Sequence, residues 1–128
     1  MTTAQNAYTQ YQNSKVLTAS PGELILRLYD GVIRFCNIAK EAIDKGDMEI
    51  ANTNLIKAQR IIDHLMATLD RTYEVAVEFD NIYQYLLDAL MIVNIDKDAE
   101  LLDAVIVNLR LVRSNWIDVM AAAKMEHH

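Results

Sequence analysis

The residues of this chain that could carry chemistry are few, and their spacing fits none of the common reactive sites. His64 is the only histidine before the last two residues, and Ile61 stands three positions before it. A carboxylate-bridged di-metal centre in a helical bundle needs Glu-x-x-His on two helices, so this class of centre is excluded. A haem held by His64 together with Met66 or Met91 stays open as an alternative, but lone histidines are usually solvated or structural. We expect no metal site and no cofactor.

Nucleophilic and phosphotransfer chemistry find no better support. His64 is followed by Leu-Met-Ala-Thr, whereas a phosphotransfer histidine of a helical bundle would lie in His-x-x-Lys-Gly. The chain has no glycine-rich phosphate loop, no nucleophile elbow and no CxxC pair. Cys36 is the single cysteine, which rules out an internal disulfide and agrees with a reducing compartment. We interpret Cys36 as a buried structural thiol and the protein as a non-enzyme.

Length and charge narrow the function further. The chain has 128 residues, enough for one domain with a sizeable core, and a formal net charge of −6 without a cluster of Lys and Arg. Nucleic acids and anionic membranes both need a positive footprint, so we expect neither as a partner. No apolar run approaches the ~18 residues that span a bilayer, and no secretory signal opens the chain. These features predict a cytoplasmic protein without membrane insertion.

The elements that position these residues begin at a helix start signal. Ser20 and Glu23 have the spacing of a capping box, and Pro21 lies between them at the first helical position, where its missing N–H costs nothing. Pro21 is the only proline of the chain, and no later segment alternates as a half-buried strand would. We therefore predict an all-α, antiparallel up-down-up-down four-helix bundle. Its helices are expected at about 21–45, 48–70, 73–94 and 99–122.

Caps and turns set the expected boundaries. Gly46 is predicted to end the first helix in the left-handed conformation, and Asp47, Thr72 and Asp98 are predicted to cap the next three. Residues 1–17 are polar and are expected to form a flexible N-terminal arm in front of a domain over 18–122. Residues 123–128 are expected to be a disordered tail, whose terminal His127-His128 is consistent with the stub of a purification tag.

The predicted helices carry more apolar surface than the bundle needs. In the first helix the apolar face includes Leu28 and Phe35, with Tyr29 and Ile33 at its edge, and it spans roughly 220°, against about 100° for a surface helix. Tyr83 falls on a flank of the third helix. Single exposed apolar residues are normal, but several stripes on three helices favour a groove that receives partner helices. We expect the pockets of this groove to include Ile56, Tyr85, Ile92, Val107 and Leu111.

A long ordered block of the sequence also resembles a known family. Residues 18–35, TASPGELILRLYDGVIRF, resemble the opening of FliS, the bacterial flagellin-specific export chaperones. The resemblance continues through residues 55–62, LIKAQRII, through residues 94–98, NIDKD, and on to Trp116, so it covers essentially the whole chain. Many members carry Gly-Gly where this chain has Arg71-Thr72-Tyr73, a change that is expected to stiffen or shorten the turn.

The resemblance implies a function and partners. Such chaperones bind the disordered C-terminal segment of flagellin, prevent its premature polymerisation and aid its delivery to the flagellar type III export gate, which they meet in the flagellin-bound state. They do so in the cytoplasm as monomers or weak dimers and without ATPase activity. Their N-terminal arm can occupy part of the groove, a displaceable plug that maps here onto Tyr8 and Tyr11. The alternative from composition alone is a helical adaptor whose apolar surface makes a homodimer.

Overall fold

The computed structural model describes residues 21–126, most of which lie in four α-helices. The helices are α1 (Pro21–Asp44), α2 (Met48–Ala67), α3 (Ala76–Asp96) and α4 (Ala99–Glu126). Each helix packs against its neighbours in the chain, and α4 returns to pack against α1. Residues 21–126 contain no strand. The predicted antiparallel four-helix bundle is confirmed.

The turn between α1 and α2 forms as its residue types predict. Gly46 adopts a φ of 78°, and the N–H of Asp47 donates to the carbonyl of Ala42 at 2.7 Å, as in a Schellman motif. The Asp47 carboxylate then accepts from the N–H of Ile50 at 3.3 Å and caps α2. Both the glycine stop and the aspartate cap are confirmed.

The turn between α3 and α4 has the same form, but a lysine takes the left-handed position that glycine takes in the first turn. Lys97 adopts a left-handed φ of 51°, and the N–H of Asp98 donates to the carbonyl of Val93 at 3.3 Å. The Lys97 ammonium holds the side-chain oxygen of Asn94 at 2.7 Å. Asp98 caps α4 by accepting from the N–H of Leu101 at 3.0 Å, as predicted.

The connection between α2 and α3 is longer than predicted, and Thr72 does not cap a helix. The backbone N–H and hydroxyl of Thr72 both donate to the carboxylate of Asp70, which folds the segment into a local turn. Helix α3 begins only at Ala76, and its cap residue Val75 makes no side-chain cap hydrogen bond. Arg71 stiffens the connection, because its guanidinium donates to the carbonyl of Met66 at 3.0 Å and to the carboxylate of Asp80 at 2.7 Å.

The helix ends differ from the sequence pattern in both directions. Helix α2 ends three residues early at Ala67, and α4 continues to Glu126, four residues beyond the predicted end and into the expected tail. The Ser20 cap, the arm over 1–17 and the terminal His127-His128 lie outside the described residues. No helix among the described residues has the length and apolarity needed to cross a bilayer.

The core lies along the bundle axis and has a polar contact at its centre. Its fully buried side chains include Val32, Leu55, Leu86, Leu90, Leu102, Val105 and Leu109. Tyr29 on α1 and Tyr83 on α3 are 0% and 1% exposed, and their hydroxyls form a hydrogen bond across the core. Burial raises the pKa of both phenols above the ordinary value. Each hydroxyl thereby satisfies the other in a place that water does not reach.

Contacts between α1 and α4 close the bundle. The indole N–H of Trp116 on α4 donates to the carbonyl of Gly22 on α1 at 2.8 Å, and its ring packs edge-on against Phe79 of α3 with ring centroids 5.4 Å apart. Arg113 and Lys40 form ion pairs across the same helix pair, with Asp30 at 2.6 Å and Asp103 at 2.5 Å. These pairs are partly exposed and add little stability, so the indole contact and the apolar core hold α4 in place.

Candidate protein-binding surface

Helices α3 and α4 present apolar side chains on their outer, solvent-facing side. Tyr85 and Ile92 are 48% and 49% exposed, and they share a face of α3 because they are seven residues apart. Val107 and Leu111 are 64% and 59% exposed, and they lie one turn apart on α4. Four of the five predicted pocket residues therefore lie on the outside of this antiparallel helix pair. We call these four residues the α3–α4 surface.

Tyr85 and Leu111 meet at a cleft between the two helices. The cleft has a volume of about 330 Å³, and Ile82 and Val112 form its apolar floor. At its edge the amide nitrogen of Asn108 donates to the Tyr85 hydroxyl at 3.3 Å. A shallow apolar cleft with a polar edge suits one large apolar side chain of a docked helix, with its backbone left near water.

Ile56 does not join this cleft. It lies on α2, which packs against α1 and α3, and its side chain is half-buried. The hydrogen bond from Asn94 to Asn52 at 2.8 Å marks the α2–α3 side of the bundle one turn away. The predicted set of five thus divides between two faces of the bundle, and Ile56 contributes to packing as well as to surface.

Three exposed apolar residues of α3 were not among the predicted pocket residues. Val77 is 65% exposed, Met91 is 55% exposed, and Ile95 is 75% exposed. The sequence predicts that α3 ends at residue 94 and that Ile95 lies in a loop, whereas the helix continues to Asp96. The left-handed stop at Lys97 has no sequence signal as clear as the glycine at position 46, so the position of Ile95 on the helix could not be predicted.

The reactive residue types of the chain lie away from this surface. Cys36 is completely buried on α1, and burial raises the pKa of its thiol to about 12, so the thiolate is not formed at neutral pH. His64 is exposed on α2. Among residues 21–126 no group of three or more His, Cys, Asp or Glu side chains is arranged to hold a metal ion. The predicted plug residues Tyr8 and Tyr11 lie outside the described residues.

Comparison with known proteins identifies the family of this bundle. The family model described as flagellar protein FliS matches residues 4–123. The chain belongs to the FliS family. The flagellar secretion chaperone FliS of Bacillus subtilis is 40% identical over 124 residues, 97% of this chain and 93% of the relative. The flagellar secretion chaperones FliS of Salmonella typhimurium and Campylobacter jejuni are 31% and 30% identical, over 94% and 88% of this chain and 92% and 90% of those relatives. The resemblance carried by residues 18–35 is confirmed.

The structure shows what the FliS-like segment LYDG in α1 contacts. Tyr29 belongs to the core, and Asp30 pairs with Arg113 of α4. At Gly31 the two helices α1 and α2 approach closely, because a β-carbon there would lie 3.3 Å from the terminal methyl of Ile61. Successive residues of this FliS segment thus contact α3, α4 and α2, which makes α1 the element that organises the bundle.

Proposed function

We propose that this chain is a cytoplasmic export chaperone that binds the C-terminal segment of flagellin. In this role it prevents premature polymerisation and aids delivery of its client to the flagellar type III export gate. The single observation that carries the proposal is the exposed apolar α3–α4 surface on a FliS-family bundle whose own core is complete without it. A helix pair with that much exposed apolar area is suited to a partner helix.

The proposed mechanism is coupled folding of the client on the α3–α4 surface. A disordered tail that folds on binding can bury on the order of 1,000–3,000 Å², and the ordering of the tail costs several kcal/mol. The client is then held firmly while it is bound, yet it can be released without ATP when a stronger competitor for its helices arrives. The chaperone has no catalytic step in this scheme, and the export gate is its second partner in the client-bound state.

The N-terminal segment is part of the proposal. Tyr8 and Tyr11 have two large amphipathic side chains that can enter the same kind of cleft as a client residue. We propose that they occupy the α3–α4 surface until flagellin displaces them. A chain without residues 1–17 is then expected to bind the client peptide more tightly than the full chain, and equal or weaker binding would contradict the plug.

Calorimetry with a flagellin peptide tests the proposal. The peptide covers roughly the last 40 residues of flagellin from the same organism, and we expect one-to-one binding with a negative heat-capacity change. Burial of the exposed part of Leu111 is worth about 1–2 kcal/mol. Leu111→Asp loses this contribution and also places a charge in the cleft, so it should weaken binding by at least about tenfold.

A matched substitution controls for the general effect of an added charge. Ile50 is 47% exposed in the first turn of α2, a helix that does not pack beside α4, and an aspartate near a helix N-terminus is tolerated. Ile50→Asp should therefore leave binding unchanged, and circular dichroism should show both variants folded. No heat at two temperatures with the wild-type chain would refute the client assignment. Sedimentation as a tight homodimer through the α3–α4 surface would favour the adaptor alternative.

A further inference from the structure

A second surface, on the opposite side of the bundle from the cleft, carries four exposed cations. Arg27 and Arg34 are exposed and seven residues apart, so they share one face of α1. Lys57 and Arg60 are exposed and three residues apart on α2. The ammonium of Lys57 lies 5.5 Å from the centre of the Phe35 ring, which joins the two faces into one surface. We call these four cations the α1–α2 basic face.

The cations of this face are not used within the described part of the fold. Lys40, Lys45, Arg71 and Arg113 each form an ion pair with a described carboxylate. None of the four cations of the basic face forms an ion pair with another residue in the range 21–126. Carboxylates are nearby along the helices, since Asp30 is four residues before Arg34 and Asp63 is three residues after Arg60. The four cations nevertheless form no ion pair within the described fold, so they remain available to a ligand.

The half-buried ring of Phe35 holds two of these cations in position. The Arg34 guanidinium lies 5.7 Å from the ring centre, and the Lys57 ammonium lies at a similar distance from the neighbouring helix. Cation–π attraction of this kind restricts long side chains that would otherwise move freely in water. Arg34 and Lys57 thus lose part of their conformational freedom before a ligand arrives, which lowers the entropic cost of binding.

We infer that the α1–α2 basic face docks an acidic segment of a protein partner other than the client, an inference that rests on the proposed function for the place of the client on α3 and α4. The whole chain has a net charge of −6, so an acidic ligand is repelled by most of its surface and attracted by this face. That charge distribution also opposes adsorption to an anionic membrane, which meets the surrounding carboxylates as well. Since α1–α2 and α3–α4 are different faces, both partners can bind at once.

Titration with a defined acidic peptide tests the inference. The probe is a short synthetic peptide of glutamates around one phenylalanine, added to the full-length isotope-labelled chain and followed by amide chemical shifts. We expect saturable shifts confined to the outer turns of α1 and α2, and binding that weakens between about 50 and 500 mM NaCl as the charges are screened. A peptide with lysines in place of the glutamates should cause no such shifts.

Charge variants show whether the named cations are responsible. Arg34→Glu and Lys57→Glu should each weaken binding by about fivefold, the upper end for a single exposed charge pair. Arg110, which is exposed on α4 and also lacks an ion pair with a described residue, supplies the control. Arg110→Glu should bind the acidic peptide as the wild type does. Absence of saturable shifts, shifts on α3 and α4, or equal weakening by all three variants would overturn the inference.

Two further measurements distinguish an acidic protein segment from other ligands that could bind this face. The flagellin tail peptide should bind the Arg34→Glu/Lys57→Glu variant as tightly as the wild-type chain, because the client surface is elsewhere. Loss of client binding would assign the basic face to the client and would refute the inference of a separate protein partner. Cosedimentation with phosphatidylglycerol vesicles that both substitutions abolish would assign the face to a lipid surface and would overturn it as well.

Discussion

The hydrogen bond between Tyr29 and Tyr83 predicts strong coupling between two substitutions. The two hydroxyls join α1 to α3 across the core, and neither has another hydrogen-bond partner among the described residues. Tyr83→Phe therefore leaves the Tyr29 hydroxyl buried without a partner, and Tyr29→Phe does the same to Tyr83. When both hydroxyls are removed, neither group is left unsatisfied, and two phenylalanines fill nearly the same space.

The expected magnitudes follow from the cost of a buried unpaired hydroxyl. Each single substitution should lower the free energy of unfolding by about 1–3 kcal/mol. With a urea dependence of about 1–3 kcal/mol per molar, the midpoint of unfolding falls by about 1 M. The double variant should lie within about 1 kcal/mol of the wild type, which gives a coupling free energy of about 3 kcal/mol when each single substitution costs about 2 kcal/mol.

Urea unfolding of the four proteins, followed by far-ultraviolet circular dichroism, measures this cycle. The four unfolding curves should have equal slopes, so that differences in midpoint report stability alone. If the double variant loses as much stability as the two single variants together, each hydroxyl has its own partner and the proposed pairing is wrong. Single variants as stable as the wild type would show that water reaches the pair.

Two further predictions concern the turns and the buried thiol. Gly46→Ala should cost about 1–2 kcal/mol by thermal unfolding, because only its positive φ opposes the methyl group, which meets nothing within 4 Å. Lys97→Gly, at the equivalent left-handed position, should instead raise the free energy of unfolding by up to about 1 kcal/mol, reduced by the loss of the contact between Lys97 and Asn94. If both glycine-site substitutions changed stability in the same direction, the backbone argument would be wrong. Burial raises the pKa of Cys36 to about 12, so between about pH 9 and 12 the unfolded chain has lost the thiol proton while the folded chain keeps it. The free energy of unfolding should therefore fall as the pH rises through this range. Cys36→Ala removes that dependence, so the stability gap between wild type and variant should narrow above about pH 9 in urea titrations, whereas parallel curves would count against it.

Local patterns predicted most of the fold because the relevant interactions are short-range. The stop at Gly46 and the caps at Asp47 and Asp98 each involve residues a few positions apart, and all three form as predicted. Thr72 has the right type for a cap but is held by Asp70 two residues earlier, which is an equally local alternative that propensity does not rank. The presence of each helix was therefore predictable, whereas the end of α2 and the start of α3 were displaced by competing local contacts.

The centre of the core was less predictable because it depends on a contact between distant residues. Helical periodicity places Tyr29 and Tyr83 at the edges of their apolar faces, as suits residues with a polar end. In the structure each is completely or almost completely buried, since the other supplies a hydrogen bond from 54 residues away. The same limit applies to the candidate surface, where Tyr85 and Leu111 meet through tertiary packing and Ile56 remains on another face.

Trp116 gives the bundle a natural optical label. It is the only tryptophan of the chain, and its ring contacts both the side chain of Phe79 and the backbone at the start of α1. Its fluorescence therefore comes from one known place, the junction where residues 1–20 join the helices. A loosening of that junction changes the environment of a single indole, and emission excited at wavelengths that tyrosine does not absorb can follow it in unmodified protein.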